Sequence, residues 1–301
     1  MRVLLTGVSS FTGLWFARAL SAAGHEVVAP LRAQSYDDPL RRARMAEAAR
    51  VAEIIPAAPF GSDAFLKLLE RGFDVLCHHA AEAADHKSPD FDVARAVAGN
   101  TFNATATLAA AWRSGTKRLV LTGSAFEEGE GRGTEPLVAF SPYGLSKTLT
   151  ARAFQAEADK ARLEMVKFVV PNPFGPHEAQ TFQRLVMSRW REGQPVRVSH
   201  PFYGRDNVPV NLLAKVYARA TTGALGTHVS PSFYAGSVGG FFERMARETR
   251  ARTGWACDLA LADSQQSGEP MERYNLQSIV PADYGWSENG FWDDYAAYYA
   301  A

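Results

Sequence analysis

An α/β fold, a doubly wound parallel sheet carrying a smaller C-terminal lobe, is what this chain predicts, and three observations predict it. Short apolar runs alternate with helical stretches through the first half and more of the sequence, which is the pattern of βαβ winding. A glycine-punctuated turn, Gly7-Val8-Ser9-Ser10-Phe11-Thr12-Gly13, follows the first of those runs. Beyond Pro171 the texture changes, with Pro, Gly and aromatic residues becoming denser.

Each element follows from its own residues. Val3 to Leu5 reads as a short buried strand, and Gly13 to Ala23 as an apolar-faced helix closed by Gly24. His25 to Ala29 is the next strand; Ser35 to Arg50, rich in Ala and Arg, is a surface helix. Val51 to Ile55 is a third strand, and Ala64 to Arg71 a helix begun at Ser62. Phe73 to Cys77 follows as the fourth strand. Asn100 to Trp112 and Leu145 to Leu163 are long helices flanking the strand Arg118 to Leu121, and Met165 to Val170 is the sixth strand. Successive parallel strands need crossovers, so helices cover both faces of the sheet. Residues 1–171 then form the first domain and 172–301 the lobe. Helices near Thr181 to Arg191, Leu212 to Thr221 and Phe241 to Arg252 belong to the lobe, with room for some of its segments to return to the first sheet.

Composition narrows the function classes. Lys plus Arg and Asp plus Glu both number 32, so no net positive field exists to attract nucleic acid or an anionic membrane. Phosphate recognition must therefore be local. Two cysteines far apart in sequence give neither a metal spacing nor a disulfide framework, which suits a reducing compartment. His78, His79, His177 and His200 are scattered over different elements, and no metal is expected. The chain opens on a strand pattern, no apolar run approaches a membrane span, and a cytoplasmic protein is the expectation.

The first turn sits between a strand and a helix, the context that a dinucleotide fingerprint requires. Gly7 permits the tight turn, Gly13 allows close packing of helix on strand, and the backbone from Ser9 through Phe11 and Thr12 offers N–H groups to a pyrophosphate. Ser10 stands where a middle glycine is usual; it demands more room but brings a hydroxyl. Cofactor choice is read at the end of the second strand, where a carboxylate selects NAD and a basic residue NADP. Here that strand ends Pro30-Leu31-Arg32, and Arg32 favours NADP over NAD. Farther on, Tyr143 and Lys147 lie four residues apart on one helical face, beside the same ligand. A fixed ammonium favours the phenolate and moves a tyrosine toward use as a base.

In these residues the chain resembles the extended short-chain dehydrogenase/reductase family of nucleotide-sugar epimerases, dehydratases and reductases. Asp74-Val75-Leu76-Cys77-His78-His79-Ala80-Ala81 is similar to the family's fourth strand and the turn beside its cofactor. Asn100 resembles its helix-distorting asparagine, Leu121-Thr122-Gly123-Ser124-Ala125 its catalytic serine strand, and Pro142-Tyr143-Gly144-Leu145-Ser146-Lys147 its Tyr-Lys helix. Pro171-Asn172-Pro173-Phe174-Gly175-Pro176 and Gly204-Arg205-Asp206-Asn207-Val208-Pro209-Val210 are similar to two segments of its substrate lobe. The resemblance covers nearly the whole chain and implies a Rossmann fold.

What the resemblance implies is specific. Tyr143 is the proton acceptor and donor, Lys147 acidifies it and holds the nicotinamide ribose, and Ser124, beside Ala125, orients the substrate oxygen. His79, Ala80, Ala81 and Asn100 lie on the cofactor side. Asn172, Arg205 and Arg273 are expected to hold the substrate diphosphate. Dehydratases of the family carry an Asp-Glu pair directly after the catalytic hydroxyl residue; here Ala125 and Phe126 occupy those places, and Glu127 and Glu128 come two residues late. A 4-epimerase or a keto-sugar reductase is therefore expected. Two alternatives are a ketoreductase of non-nucleotide substrates and a non-catalytic NADP-binding sensor. The Ala-rich helices from Asn100 and Leu145, with Leu145, Leu149, Ala153 and Ala156 in a stripe, predict a homodimer.

Overall fold

Strands that are apolar along their whole length have no solvent side, and a parallel sheet covered on both faces is the arrangement that satisfies them. A computed structural model describes residues 1–263 and 269–301. Its contacts divide the chain into two units, Met1–Glu130 with Val138–Val170 and Ala214–Ser230, and Gly131–Leu137 with Pro171–Leu213 and Pro231–Ala301.

The first unit contains β1 (Arg2–Leu5), α1 (Phe11–Ala22), β2 (Glu26–Pro30), α2 (Pro39–Ala48), β3 (Glu53–Ile55), α3 (Asp63–Leu69) and β4 (Val75–His78). It continues through α4 (Val93–Asn100), α5 (Ala104–Arg113) and β5 (Arg118–Ser124), then α6 (Pro142–Ala161), β7 (Glu164–Val170) and β11 (His228–Val229). The second unit contains β6 (Arg132–Gly133), β8 (Asn172–Phe174), α7 (Phe182–Arg191), β9 (Val196–Val198) and β10 (Gly204–Pro209). Helix α8 (Val210–Thr221) is shared between the units; β12 (Pro231–Ser232), β13 (Tyr234–Ser237), α9 (Val238–Thr253), β14 (Leu259–Leu261), β15 (Glu272–Tyr274), β16 (Gln277–Ser278) and α10 (Glu288–Ala300) complete the second.

The seven strands of the first unit run parallel in the order β11-β7-β5-β4-β1-β2-β3. Chain order therefore reverses between β1 and β4, and it is outside the carboxyl ends of such a pair that open α/β sheets bind ligands. On one face Phe65, Leu108 and Phe154 pack with Leu4, Leu76 and Leu119. On the other, Phe16 stacks on Tyr217 with ring centroids 3.8 Å apart, and Phe168 meets both edge-on. The expected doubly wound parallel sheet is the observed fold.

Two elements differ from the sequence reading. The helix expected from Asn100 to Trp112 begins only at Ala104; a separate helix ends at Asn100, and Asn103, with a left-handed φ of 52°, parts the two. Asparagine tolerates that conformation, and here its amide donates to the Gly61 carbonyl at 2.9 Å. Asn100 accordingly ends α4 rather than opening a helix; its Oδ1 accepts the Glu82 N–H at 2.7 Å and its Nδ2 donates to Thr150 Oγ1 at 3.2 Å. Strand β11 is two residues long, too short to carry any periodicity in sequence.

The second unit is organised around an aromatic core that includes Phe174, Trp190, Phe241, Phe291, Trp292 and Tyr295. Within it Glu178 is only 1% exposed and accepts hydrogen bonds from the hydroxyls of Thr181 (2.6 Å), Tyr295 (2.7 Å) and Tyr299 (2.9 Å). Burial outweighs those donors and pushes its pKa up to about 7 from 4.5. The folded chain then holds a proton that the unfolded chain releases. Its stabilising effect is complete below the unfolded pKa and is lost as pH rises through the folded one. The melting temperature is expected to fall between about pH 5 and about pH 8, and Glu178→Gln is expected to flatten that slope in a thermal-melt series.

Candidate active site

The turns after β1 and β4 are bound to each other by one hydroxyl. Thr6 donates its N–H to the Cys77 carbonyl at 3.0 Å, extending the β1–β4 pairing, and its Oγ1 accepts the N–H groups of His79 and Ala80, both at 3.0 Å. Gly7 has a φ of +79°, and a Cβ there would lie 2.8 Å from the Ala80 nitrogen, so the backbone of His79 and Ala80 runs directly past the turn, with Ala81 following it. A Cβ on Gly13 would come within 2.1 Å of the Gly7 carbonyl oxygen. Both glycines are thus required by backbone approach.

The Ser10 hydroxyl, expected beside the phosphates, already has partners within the fold. Ser10 is the N-cap of α1, accepting the Gly13 N–H at 3.0 Å, and it meets His79 Nε2 at 3.0 Å. Thr12 Oγ1 reaches the same ring nitrogen at 2.9 Å. Burial, assisted by the Lys147 charge, pushes the His79 pKa down to about 3, so this imidazole is neutral. The Phe11 and Thr12 N–H groups come before the first intrahelical donor, Leu14, which bonds the Ser10 carbonyl at 3.2 Å. With the helix dipole behind them, they form a fitting cradle for a dinucleotide pyrophosphate. Arg32, at the end of β2, is largely exposed and lies 3.5 Å from the Glu82 carboxylate.

The side chains expected to react come from the end of β5 and the first turns of α6. Ser141 caps the helix, accepting the Gly144 N–H at 3.3 Å, and Pro142 supplies a helical φ in its first turn. Helix and strand end approach closely, since a Cβ on Gly144 would lie 2.2 Å from the Phe126 carbonyl oxygen. Lys147 crosses to β5 and donates to the Thr122 carbonyl at 2.7 Å. Ser124 ends the strand, its Oγ accepting the Phe126 N–H at 3.2 Å. The next residue, Ala125, is buried and donates its N–H to the Val170 carbonyl at 3.0 Å. His86 and Phe91 set their rings edge-on to Tyr143, at centroid distances of 5.6 and 5.8 Å.

The charge environment corrects one expectation. Rather than being acidified by Lys147, the Tyr143 phenol is pushed up to about 12 by burial and by the Glu127 carboxylate. Burial also lowers the Lys147 pKa, with Glu127 opposing that shift. The physical reason is that this ammonium sits against the Thr122 carbonyl in a buried site, while the phenol is removed from water and feels the Glu127 anion.

That anion is the feature the sequence reading passed over. Glu127 is fully buried; its Oε1 accepts the Ser124 N–H at 2.8 Å, and Lys167 forms ion pairs with both Glu127 and Glu130 at 2.5 Å. Glu130 also meets His228 Nε2 at 2.9 Å. Burial works against the Lys167 ammonium, but the two carboxylates outweigh it and hold its pKa above the ordinary value. The signal was present in sequence: a lysine inside the apolar strand Glu164–Val170 requires a buried anion.

Of the residues expected on the substrate side, Asn172, Arg205 and Arg273 lie in the second unit, joined by one sheet. Asn172 is opposite Asn207 on β10, and Arg205 is opposite Arg273 on β15. Arg273 is 2% exposed, so it is not a surface arginine. The Arg205 guanidinium donates to the carbonyls of Gly204 (2.8 Å) and Met271 (3.1 Å) and pairs with Glu269 at 3.0 Å. Among the described residues no group of His, Cys, Asp and Glu is arranged to hold a metal, and no helix is long and apolar enough to cross a membrane.

Residues 3–204 match the family model described as NAD dependent epimerase/dehydratase family. No curated protein matches the chain. Among solved structures, a UDP-glucuronic acid 4-epimerase from Bacillus cereus, in complex with UDP-glucuronic acid and NAD, is 18% identical with a TM-score of 0.75, covering 99% of each chain. A UDP-glucose 4-epimerase from Thermotoga maritima with UDP-glucose is also 18% identical, with a TM-score of 0.71 over 99% of this chain and 98% of that one. A dTDP-glucose 4,6-dehydratase from Streptomyces venezuelae with NAD is 18% identical, with a TM-score of 0.73 over 99% of this chain and 97% of that one.

The cradle makes a test of its own. Gly13→Ala forces the added methyl against the Gly7 carbonyl, and overpacking of this kind costs about 1–3 kcal/mol. A lower melting temperature together with a weakened or lost NAD-induced thermal shift is the expected result.

Proposed function

Because this chain belongs to the NAD dependent epimerase/dehydratase family, we propose that it is a 4-epimerase of a nucleotide-diphosphate sugar that works by transient oxidation of a carbinol carbon. The observation that carries this reading is the gathering of Ser124, Tyr143 and Lys147 at the end of β5, with Lys147 anchored on the Thr122 carbonyl at 2.7 Å. A nicotinamide bound beside them supplies acceptance and return of hydride. The chain's own residues handle the proton: Tyr143 takes it from the sugar hydroxyl and gives it back, and the Ser124 hydroxyl orients the sugar oxygen. Asn172, Arg205 and Arg273 are the proposed diphosphate contacts, and a substrate phosphate would compete with Glu269 for the Arg205 guanidinium.

Water loss is the weaker reading. Ala125 and Phe126 bring no acid or base, and Glu127 is committed to Lys167 and to the Ser124 N–H. A keto-sugar reductase has one observation in its favour, since a phenol with its pKa near 12 holds its proton at neutral pH and suits donation to a carbonyl.

For the cofactor the proposal takes NAD. The expectation of NADP rests on Arg32 and on the missing carboxylate at the end of the second strand, but the Glu82 carboxylate beside Arg32 would repel a 2′-phosphate. Solved neighbours from Bacillus cereus and Streptomyces venezuelae carry NAD. Self-association through the exposed edge of α6, where Leu145 and Leu149 reach solvent, is part of the same proposal.

Two experiments test it. Tyr143→Phe is expected to lower turnover of a UDP- or dTDP-linked sugar by about 10²-fold or more while keeping the NAD-induced thermal shift. Undiminished turnover would remove Tyr143 from the chemistry. In the wild type NAD is expected to raise the melting temperature more than NADP at equal concentration, and Arg32→Ala to leave the NAD shift unchanged. The reverse ranking would restore the NADP reading.

A further inference from the structure

The turn after β5 presses Glu127 against the part of α6 that carries the reacting side chains. On one side of it, the Phe126 carbonyl faces Gly144 closely enough to exclude a Cβ and accepts the Phe140 N–H at 3.1 Å. On the other side, the Glu128 N–H is donated to Thr148 Oγ1 of α6 at 2.9 Å. Glu127 itself curls back over the strand end: its N–H is donated to the Ser124 carbonyl at 3.1 Å, and its Oε1 accepts the Ser124 N–H at 2.8 Å. The side chain fills the space left by Gly123, where a Cβ would lie 2.9 Å from Glu127 Oε1 and 2.9 Å from Lys167 Cε. Beyond Lys167, Glu130 leads to His228, whose side chain is 43% exposed.

We propose that Glu127 is a positioning residue for the hydride-transfer centre: it fixes the Ser124 turn and, as half of a buried pair with Lys167, sets how readily Tyr143 gives up its proton. The inference rests on the function proposed above for Tyr143 and deepens it. Acting on Tyr143 is Glu127 from the turn after β5, and His86 from the segment before α4 packs edge-on against its ring, while Lys147, farther along the same helix, is held on the Thr122 carbonyl. Facing Glu127 from β7 is Lys167, which is backed in turn by Glu130 and His228. An anion in this place opposes formation of a phenolate on Tyr143, adding to the effect of burial. A purely structural carboxylate would hold the turn without acting on the phenol.

Glu127→Gln separates those roles, since the amide keeps an acceptor for the Ser124 N–H and loses the charge. The readout is the phenolate absorbance of each full-length protein minus that of its Tyr143→Phe counterpart, followed against pH. It needs no substrate, so its failure is distinct from failure of the proposed function, which is read by turnover. The Tyr143 midpoint is expected to fall by about one pH unit in Glu127→Gln. Glu130→Gln, nearer the surface, is expected to move it in the same direction by less, and it carries the test if Glu127→Gln does not fold. A midpoint in the folded variant that coincides with the wild type, or a phenol that stays protonated over the same pH range in both, overturns the proposal.

Discussion

The hydrogen bond from Lys147 to the Thr122 carbonyl is the contact on which the active-site reading depends. It joins the helix that carries Tyr143 to the strand that ends in Ser124, and it does so with a side chain only 5% exposed. An ammonium taken out of water without partners costs several kcal/mol, whereas a charge-assisted hydrogen bond returns about 1.5–3 kcal/mol. The bond is therefore tolerable only where further negative charge stands nearby. Glu127 provides that charge, and its carboxylate opposes the loss of the Lys147 proton that burial favours.

Close approach of backbone is the second constraint, and it explains where glycine occurs. Gly13 admits the Gly7 carbonyl and Gly144 admits the Phe126 carbonyl. Gly123 makes room for an ion pair instead, since its missing side chain is the space that Glu127 and Lys167 occupy. Three glycines in three different elements thus serve one end of the sheet, two by letting peptide groups meet and one by letting charges be buried.

Most of the first unit was legible because its signals are local. Alternation of apolar strands and helices gave β1 to β5 and β7, and Gly7 with Gly13 marked the turn at the point where strand order reverses. The pairing of Tyr143 with Lys147 follows from helical spacing alone. What was not legible depends on contacts between residues distant in sequence. The break at Asn103 is held by Gly61, and the two-residue β11 exists only by pairing with β7. The burial of Arg273 was not legible, because a three-residue strand paired between β10 and β6 leaves no periodic trace. The NADP preference came from reading Arg32 without the Glu82 that the fold brings beside it.

The buried charges beside α6 also tie the candidate site to the stability of the fold. Lys147 and Lys167 set two cations against Glu127 and Glu130, all four in the first unit and all largely removed from water. Removing one member of a buried pair typically costs 3–5 kcal/mol, because the remaining charge is left uncompensated. That is comparable to much of the stability of an ordinary domain. Substitutions that retune Tyr143 through this network must therefore conserve its balance or its hydrogen bonds. Shape-preserving amides, which keep acceptors while removing charge, are the changes that the packing around Gly123 can accommodate.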